Sequence, residues 1–247
     1  MLLGAGLNIT SGLVVTGGSG SSIVTDGLVL NLDAANPASY SGAGTTWYDL
    51  SGNGNNGTLV NNPTYTSGPG GYFTYDGVDD YTSILKNQNL GTTQNYTLFL
   101  FVNFLTNTTL IGGYGSSIVD SGSGTPSPMR FLFMDDRTIK LQHSAEFASP
   151  NGVRSITKLD LNTWYCIAAS NNINNGTIYI NGVINNSASL NNYWDVFNPT
   201  IAWKPAGNPS SVYASNCNVG NLFIYNRALS SAEITQNFNA LRGRYGV

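Results

Sequence analysis

From Asp26 onward, short runs of β-branched and aromatic residues alternate with clusters of Gly, Asn, Ser and Asp, the rhythm of strands and turns in a sandwich. Gly27-Leu28-Val29-Leu30-Asn31-Leu32 opens the series, and residues 72–75 and 81–84 continue it. Residues 96–104, Tyr-Thr-Leu-Phe-Leu-Phe-Val-Asn-Phe, are apolar on both faces at their centre, which predicts a strand buried between layers. Further strands are predicted at 130–134, 138–142, 164–168, 176–180 and 219–225. Asn181-Gly182 follows Ile180 directly; both residues tolerate the positive φ of a type I′ turn, so a hairpin is predicted there. One helix is expected. Ser230-Ser231-Ala232-Glu233 has the form of a capping box, and Ile234, Phe238 and Leu241 then recur at helical spacing, predicting a helix that runs to about Leu241 and packs on the sandwich. No internal repeat interrupts this pattern.

The pattern places one β-sandwich domain over residues 26–247. Residues 1–25 stand apart, because Thr16-Gly17-Gly18-Ser19-Gly20-Ser21-Ser22 has the composition of a flexible linker. Two readings of this arm stay open: a first strand or floppy end of no consequence, or a segment that docks on a neighbouring subunit.

Composition sharpens the picture. Only 9% of the 247 residues are charged, against about 25% in ordinary domains. In their place stand 29 Gly and many Asn, Ser and Thr, which favour turns over long solvated helices. The 14 Tyr, 10 Phe and 4 Trp argue against disorder. With a net charge of −3 and ten scattered Lys and Arg, no basic stripe exists to neutralise a phosphate backbone, so nucleic acid is excluded as an expected partner. No run approaches the ~20 apolar residues of a membrane span, so membrane insertion is not expected. Met1-Leu2-Leu3-Gly4 lacks the basic n-region of a secretory signal, so none is expected. Cys166 lies in a predicted core strand and is expected to be a buried free thiol; a bridge to Cys217 stays open.

Four segments, in this order, carry a resemblance: Trp47-Tyr48-Asp49-Leu50-Ser51-Gly52-Asn53-Gly54-Asn55-Asn56-Gly57-Thr58-Leu59, then Phe73-Thr74-Tyr75-Asp76-Gly77-Val78-Asp79-Asp80-Tyr81, then Asn162-Thr163-Trp164-Tyr165, and finally Ile224-Tyr225-Asn226-Arg227-Ala228-Leu229-Ser230-Ser231-Ala232-Glu233-Ile234. Together they resemble the laminin-G/concanavalin A-like lectin/glucanase superfamily. The resemblance implies an all-β jelly roll of two antiparallel sheets packed face to face, one curved into a concave surface. The short N-terminal arm and the ending Asn237-Phe238-Asn239-Ala240-Leu241-Arg242-Gly243-Arg244-Tyr245-Gly246-Val247 are similar to virion proteins of tailed phages, especially those of marine cyanobacteria.

That superfamily includes glucanases, so catalysis must be weighed. Glycoside hydrolysis usually takes two carboxylates about 5–9.5 Å apart. In the glucanase relatives these lie on one strand as Glu-x-Asp-x-x-Glu, a run this chain lacks. Its two glutamates, Glu146 and Glu233, sit in no such pattern, and Glu233 is already explained as a helix cap. Asp79-Asp80 and Asp135-Asp136 are adjacent pairs, which on a strand would face opposite ways. The single histidine, His143, has no Ser/Asp partner signature and is expected on the surface or in the core. No phosphate-binding loop or zinc spacing appears. The chain is therefore expected not to be an enzyme.

Calcium takes six to eight oxygen ligands, mixing carboxylates with amide and backbone carbonyls. The loop from Asp49 to Gly57 offers Asp49, Asn53 and Asn55, and Asp79 and Asp80 are candidates to approach it, a site the resemblance places on the sandwich edge. The alternative is that Asp49 merely organises a tight turn and Asp79-Asp80 a second one. Calcium-binding relatives often carry Asp before the last strand, where this chain has Gly220-Asn221. For carbohydrate, exposed aromatic faces bordered by polar groups are needed. Tyr193, Trp194, Trp203 and Tyr213 are the candidates, each of which fits a lid over the sandwich edge equally well; Trp164 and Phe99 are assigned to the core.

The expected function is a non-enzymatic virion protein, a capsid decoration or tail-fibre component made in the host cytoplasm and carried on the particle surface. Its expected partners are other virion subunits through residues 1–25 and cell-surface or environmental glycans, with a homotrimer suggested by analogy. A stand-alone carbohydrate-binding module and a divergent glycosidase are the competing classes.

Overall fold

The computed structural model describes residues 22–84, 95–107, 115–120, 129–143, 151–173, 175–190, 200–201 and 214–247. In chain order the first eight strands are β1 (Leu28–Asp33), β2 (Thr46–Trp47), β3 (Gly57–Val60), β4 (Thr64–Thr66), β5 (Tyr72–Asp76), β6 (Tyr81–Ile84), β7 (Asn95–Phe104) and β8 (Ser116–Asp120). They are followed by β9 (Met129–Phe133), β10 (Ile139–His143), β11 (Val153–Arg154), β12 (Trp164–Asn172), β13 (Asn175–Ile180), β14 (Val183–Ser189), β15 (Thr200–Ile201) and β16 (Asn216–Tyr225). The helix α1 (Ser231–Leu241) and a 3-10 turn at Arg242–Arg244 close the chain.

These strands form two eight-stranded antiparallel sheets. Sheet A runs β14-β13-β12-β7-β16-β5-β4, with β1 also paired to β16; sheet B runs β11-β10-β9-β8-β15-β6-β3-β2. This is the expected jelly-roll sandwich. Among the described residues no helix is long and apolar enough to cross a membrane.

The two-faced apolar reading of 96–104 is realised in β7. Leu98, Leu100, Val102 and Phe104 point between the sheets, where the Phe104 ring stacks on Phe133 of sheet B at 3.8 Å. Phe99 and Phe101 point the other way, into a second cluster with Phe223, Tyr225 and the helix residues Ile234 and Leu241. Burying both faces of a strand needs a cover on each side, and α1 supplies the second. Trp164, expected wholly inside, is half-buried at the rim of this outer cluster. Cys166 belongs to the outer cluster and Cys217 to the inner one, so the two thiols are free and buried on opposite faces of sheet A. Burial pushes both thiols up from their ordinary range.

The helix begins as its sequence dictates. Ser230 Oγ accepts the Glu233 backbone N–H, and the Glu233 carboxylate accepts the Ser230 N–H in return. Hydrogen bonds from Arg227 then hold Glu233 at about 2 against the opposing pull of burial. Asn237, in the middle of the helix, is fully buried: its Oδ1 accepts the Val24 N–H, its Nδ2 donates to Tyr225 Oη, and Tyr225 Oη donates to the Val24 carbonyl. Residues 22–25, grouped with the arm by sequence, are thereby held against the helix, while residues 1–21 lie outside the described ones.

The hairpin at Asn181-Gly182 has the required positive φ values, 49° and 79°. Asp135 and Asp136 occupy a turn between β9 and β10 rather than a strand, with Arg137 at a φ of 67°. At the middle of β16 the ladder shifts between Val219 and Asn221, where the neighbour changes from β5 to β1. Gly220 sits at that bulge because Tyr245 packs directly on it, occupying the space a Cβ would need.

Candidate functional site

Side chains alternate across a strand, so residues paired across a sheet share a face. In sheet B the register pairs Thr46 with Thr58, Thr58 with Ser83, Ser83 with Thr200, Thr200 with Asp120, Asp120 with Arg130, and Arg130 with Gln142. The neighbours of these positions, including Leu59, Ile84, Val119, Phe131 and Leu141, belong to the core between the sheets. The row therefore lies on the face turned away from the core. By backbone pairing it crosses seven strands, about 29 Å at the usual strand spacing.

The row changes character along its length. Thr46, Thr58 and Ser83 are half-buried, whereas Asp120, Arg130 and Gln142 are buried. Asp120 is 0% exposed, and its Oδ2 accepts from Arg130 Nε and Ser117 Oγ, each at 3.1 Å. Alongside, Lys140 pairs in register with Arg154 at the sheet edge, and burial, with the Arg154 charge, lowers the Lys140 ammonium from its ordinary value. Arg154 reaches Asp136 at 2.6 Å; against the upward pull of burial, hydrogen bonds from Thr138 and Arg154 hold the Asp136 carboxyl low. His143, at the end of β10, is buried with its Nε2 2.6 Å from Tyr96 Oη, the second of the two placements, surface or core, left open by its sequence.

A second feature is the turn joining β5 to β6. Carboxylate oxygens of Asp76, Asp79 and Asp80 lie within 4.8 Å of one another. Asp76 Oδ1 accepts the backbone N–H groups of Val78, Asp79 and Asp80, which folds the chain back on itself around Gly77. Asp80 is only 8% exposed; burial, then the neighbouring Asp76 charge, pushes its carboxyl up to about 6.

The five residues grouped by sequence as calcium ligands are divided by the structure. Asp49 is the hub of its own turn: Oδ1 accepts from Asn31 N and Ser51 N, and Oδ2 from Ser51 Oγ and Asn55 N. Asn53 Nδ2 donates to the Leu28 carbonyl and Asn55 Nδ2 to that of Val29. Asp79 and Asp80 lie at the other end of β3, since Gly57 pairs with Ile84 but Val60 with Tyr81. A strand length therefore separates the two groups. A hard cation takes several oxygens; Asp76, Asp79 and Asp80 bring carboxylate oxygens together, and at the Asp49 turn the Asn31 and Asn55 Oδ1 atoms are buried without a hydrogen-bond partner. Asp76 was missed as a partner because it reads as the end of a strand; three aspartates within five residues around Gly77 was the signal. The row on sheet B was missed because its members come from separate strands. Tyr193, Trp194, Trp203, Tyr213 and Glu146 lie outside the described residues.

A family model of the concanavalin A-like lectin/glucanases superfamily matches residues 76–235. No curated protein matches the chain in sequence. Among solved structures, Trypanosoma rangeli sialidase in complex with the inhibitor DANA superposes with a TM-score of 0.64 at 19% identity, over 89% of this chain and 34% of that one. The binding domain of Paraclostridial Mosquitocidal Protein 1 gives a TM-score of 0.64 at 19% identity, over 87% and 52%. The chain thus spans about a third of the first and half of the second. With 316 solved chains matching, the likeness marks a fold and not one activity.

Proposed function

This chain belongs to the concanavalin A-like lectin/glucanase superfamily, and from that premise we propose that it is a non-enzymatic glycan-binding head displayed on a virion. The observation that carries the reading is the half-exposed end of the polar row on sheet B, Thr46, Thr58 and Ser83 on three adjacent strands. A saccharide chain presents hydroxyls along its length, and a line of side-chain hydroxyls meets them with donors and acceptors at regular steps, while the buried Asp120, Arg130 and Gln142 brace the row's other end. The match to a structure described as a binding domain supports the same direction.

Binding is favoured over hydrolysis by the surroundings of Asp120. Its Oδ2 is engaged by Arg130 and Ser117, and among the described residues no second carboxylate stands on the row, where hydrolysis would take a pair. The virion assignment is supported by the C-terminal ending, and residues 22–25 are held on the helix that covers sheet A. Other virion subunits are the proposed partners of the segment that precedes them, in a trimer. Calcium is proposed at Asp76, Asp79 and Asp80, where it would neutralise the turn and fix its geometry.

A glycan array, repeated with Ser83→Ala and Thr58→Val at the half-exposed end of the row, tests the central reading. Binding by the parent that weakens in both variants supports it; a parent that retains no glycan removes it. Release of reducing sugar from marine polysaccharides would overturn the non-enzyme reading. Deleting residues 1–21, which leaves the Val24 contacts intact, should abolish incorporation into particles; normal assembly ends the docking role.

A further inference from the structure

Sheet A carries a second cross-strand row, on the outer face not covered by α1. The register pairs Thr64 with Thr74, Thr74 with Asn218, Asn218 with Asn103, and Asn103 with Trp164, five strands in line. On β5, β16 and β7 the flanking positions Phe73, Val219, Val102 and Phe104 belong to the inner core, so the row faces outward. It ends in an aromatic wall. Trp164 is half-buried and held between Tyr72, edge-on at 5.5 Å, and Tyr245, tilted at 4.7 Å. None of the five residues is charged, and the charge next along β5 is the exposed Asp76.

The floor of this row is incompletely satisfied. Asn218 Oδ1 accepts from Thr74 Oγ1 at 2.8 Å, but Asn103, 8% exposed, has an Oδ1 with no hydrogen-bond partner. Native proteins leave few buried acceptors unpaired, and one set beside an aromatic ring asks for a hydroxyl donor. An aromatic plane for the apolar face of a sugar ring, next to amides and hydroxyls for its edge, is the chemistry that recognises saccharides. With no cation at its turn the exposed Asp76 carboxylate disfavours an anionic chain on this face, so the discrimination is read in the presence of chelator.

We propose that the row Thr64–Thr74–Asn218–Asn103–Trp164 is a second saccharide-contacting surface, selective for neutral linear oligosaccharides and back to back with the row on sheet B. It rests on the glycan-binding reading and extends it: two opposed surfaces let one domain bridge two glycan chains.

The test titrates the full chain with cellohexaose, laminarihexaose and an oligogalacturonate, by calorimetry and by following the side-chain amide signals of Asn103 and Asn218. The neutral hexasaccharides should move those amide signals, and the oligogalacturonate should not. Trp164→Ala should weaken neutral binding at this surface about tenfold, an effect of the size expected for a central aromatic anchor. Trp164→Phe should keep most of it, and serves if the alanine variant fails to fold. Asn103→Leu should abolish the effect while melting no lower than the parent. If Asn103→Leu and Trp164→Phe bind as the parent does and the amide signals stay still, the second surface is refuted. Should binding respond only to Ser83→Ala and Thr58→Val, the first reading stands and this one falls. A parent that binds no saccharide refutes both.

Discussion

Two aspartate-centred turns lie at opposite ends of β3, and they use the same chemical group to opposite effect. At Asp49 one carboxylate receives four donors, from Asn31, from Ser51 twice and from Asn55, and so staples β1 to the loop that leads into β3. At Asp76, Asp79 and Asp80 three carboxylates crowd within 4.8 Å, and the Asp80 carboxyl is buried enough to rise to about 6. A carboxylate surrounded by N–H and O–H donors stabilises a fold; carboxylates surrounded by one another store repulsion that a cation or a proton relieves. In the second turn Asp76 Oδ1 still receives three backbone N–H groups, so the crowding is felt most at the buried Asp80.

Asp49 is the position where a single change costs most. Asp49→Ala leaves several backbone donors unpaired and is expected to destabilise the domain by about 3 kcal/mol, read as a lower urea midpoint. A variant as stable as the parent would mean that the turn does not depend on its hub. Next in size is Asp80→Asn, expected to stabilise by about 1 kcal/mol at pH 7.5 once solvent screening is allowed for. The sign follows from the direction of the shift. A carboxyl raised above its ordinary value contributes stability that is fully present below the ordinary carboxylate range and lost as pH rises through about 6. The advantage of Asn over Asp should therefore vanish near pH 4, and a gain that persists there would contradict the assignment. Millimolar calcium at pH 7.5 should raise the melting temperature of the parent and of Asp49→Asn but not of Asp76→Asn. No change between calcium and chelator removes the metal. The smallest effect belongs to Asp79→Asn, an exposed position expected to shift stability by less than about 0.5 kcal/mol while blunting the calcium response.

What was legible in the sequence was what neighbours along the chain decide. The capping box at Ser230 and Glu233, the positive-φ pair Asn181-Gly182, and the doubly apolar run that became β7 all depend on residues a few positions apart. The family resemblance supplied the sheet architecture. Neither polar row was legible, because a row exists only through register. Thr58, Asp120 and Gln142 are separated by long stretches of chain, and each alone is an ordinary polar strand residue. The assignment of Trp164 to the core erred for the same reason: its strand extends beyond the partner β13, which begins pairing only at Ile167, so one flank of the ring stays open. Asp49 was legible as a turn former, and its proposed union with Asp79 and Asp80 failed on the length of β3.

The triangle of Val24, Asn237 and Tyr225 has a mechanical consequence. Within the sheet β1 pairs with β16, and its other edge is held by side chains of the Asp49 loop at Val29 and Asn31, so a pull on the chain ahead of it would load this edge strand first. Because Val24 is tied on both its N–H and its carbonyl, tension arriving at Ser22 passes first into the helix and into Tyr225 at the end of β16. That strand has neighbours along both edges and yields only in shear, with many bonds loaded at once. The arrangement works as the strain relief of a cable does.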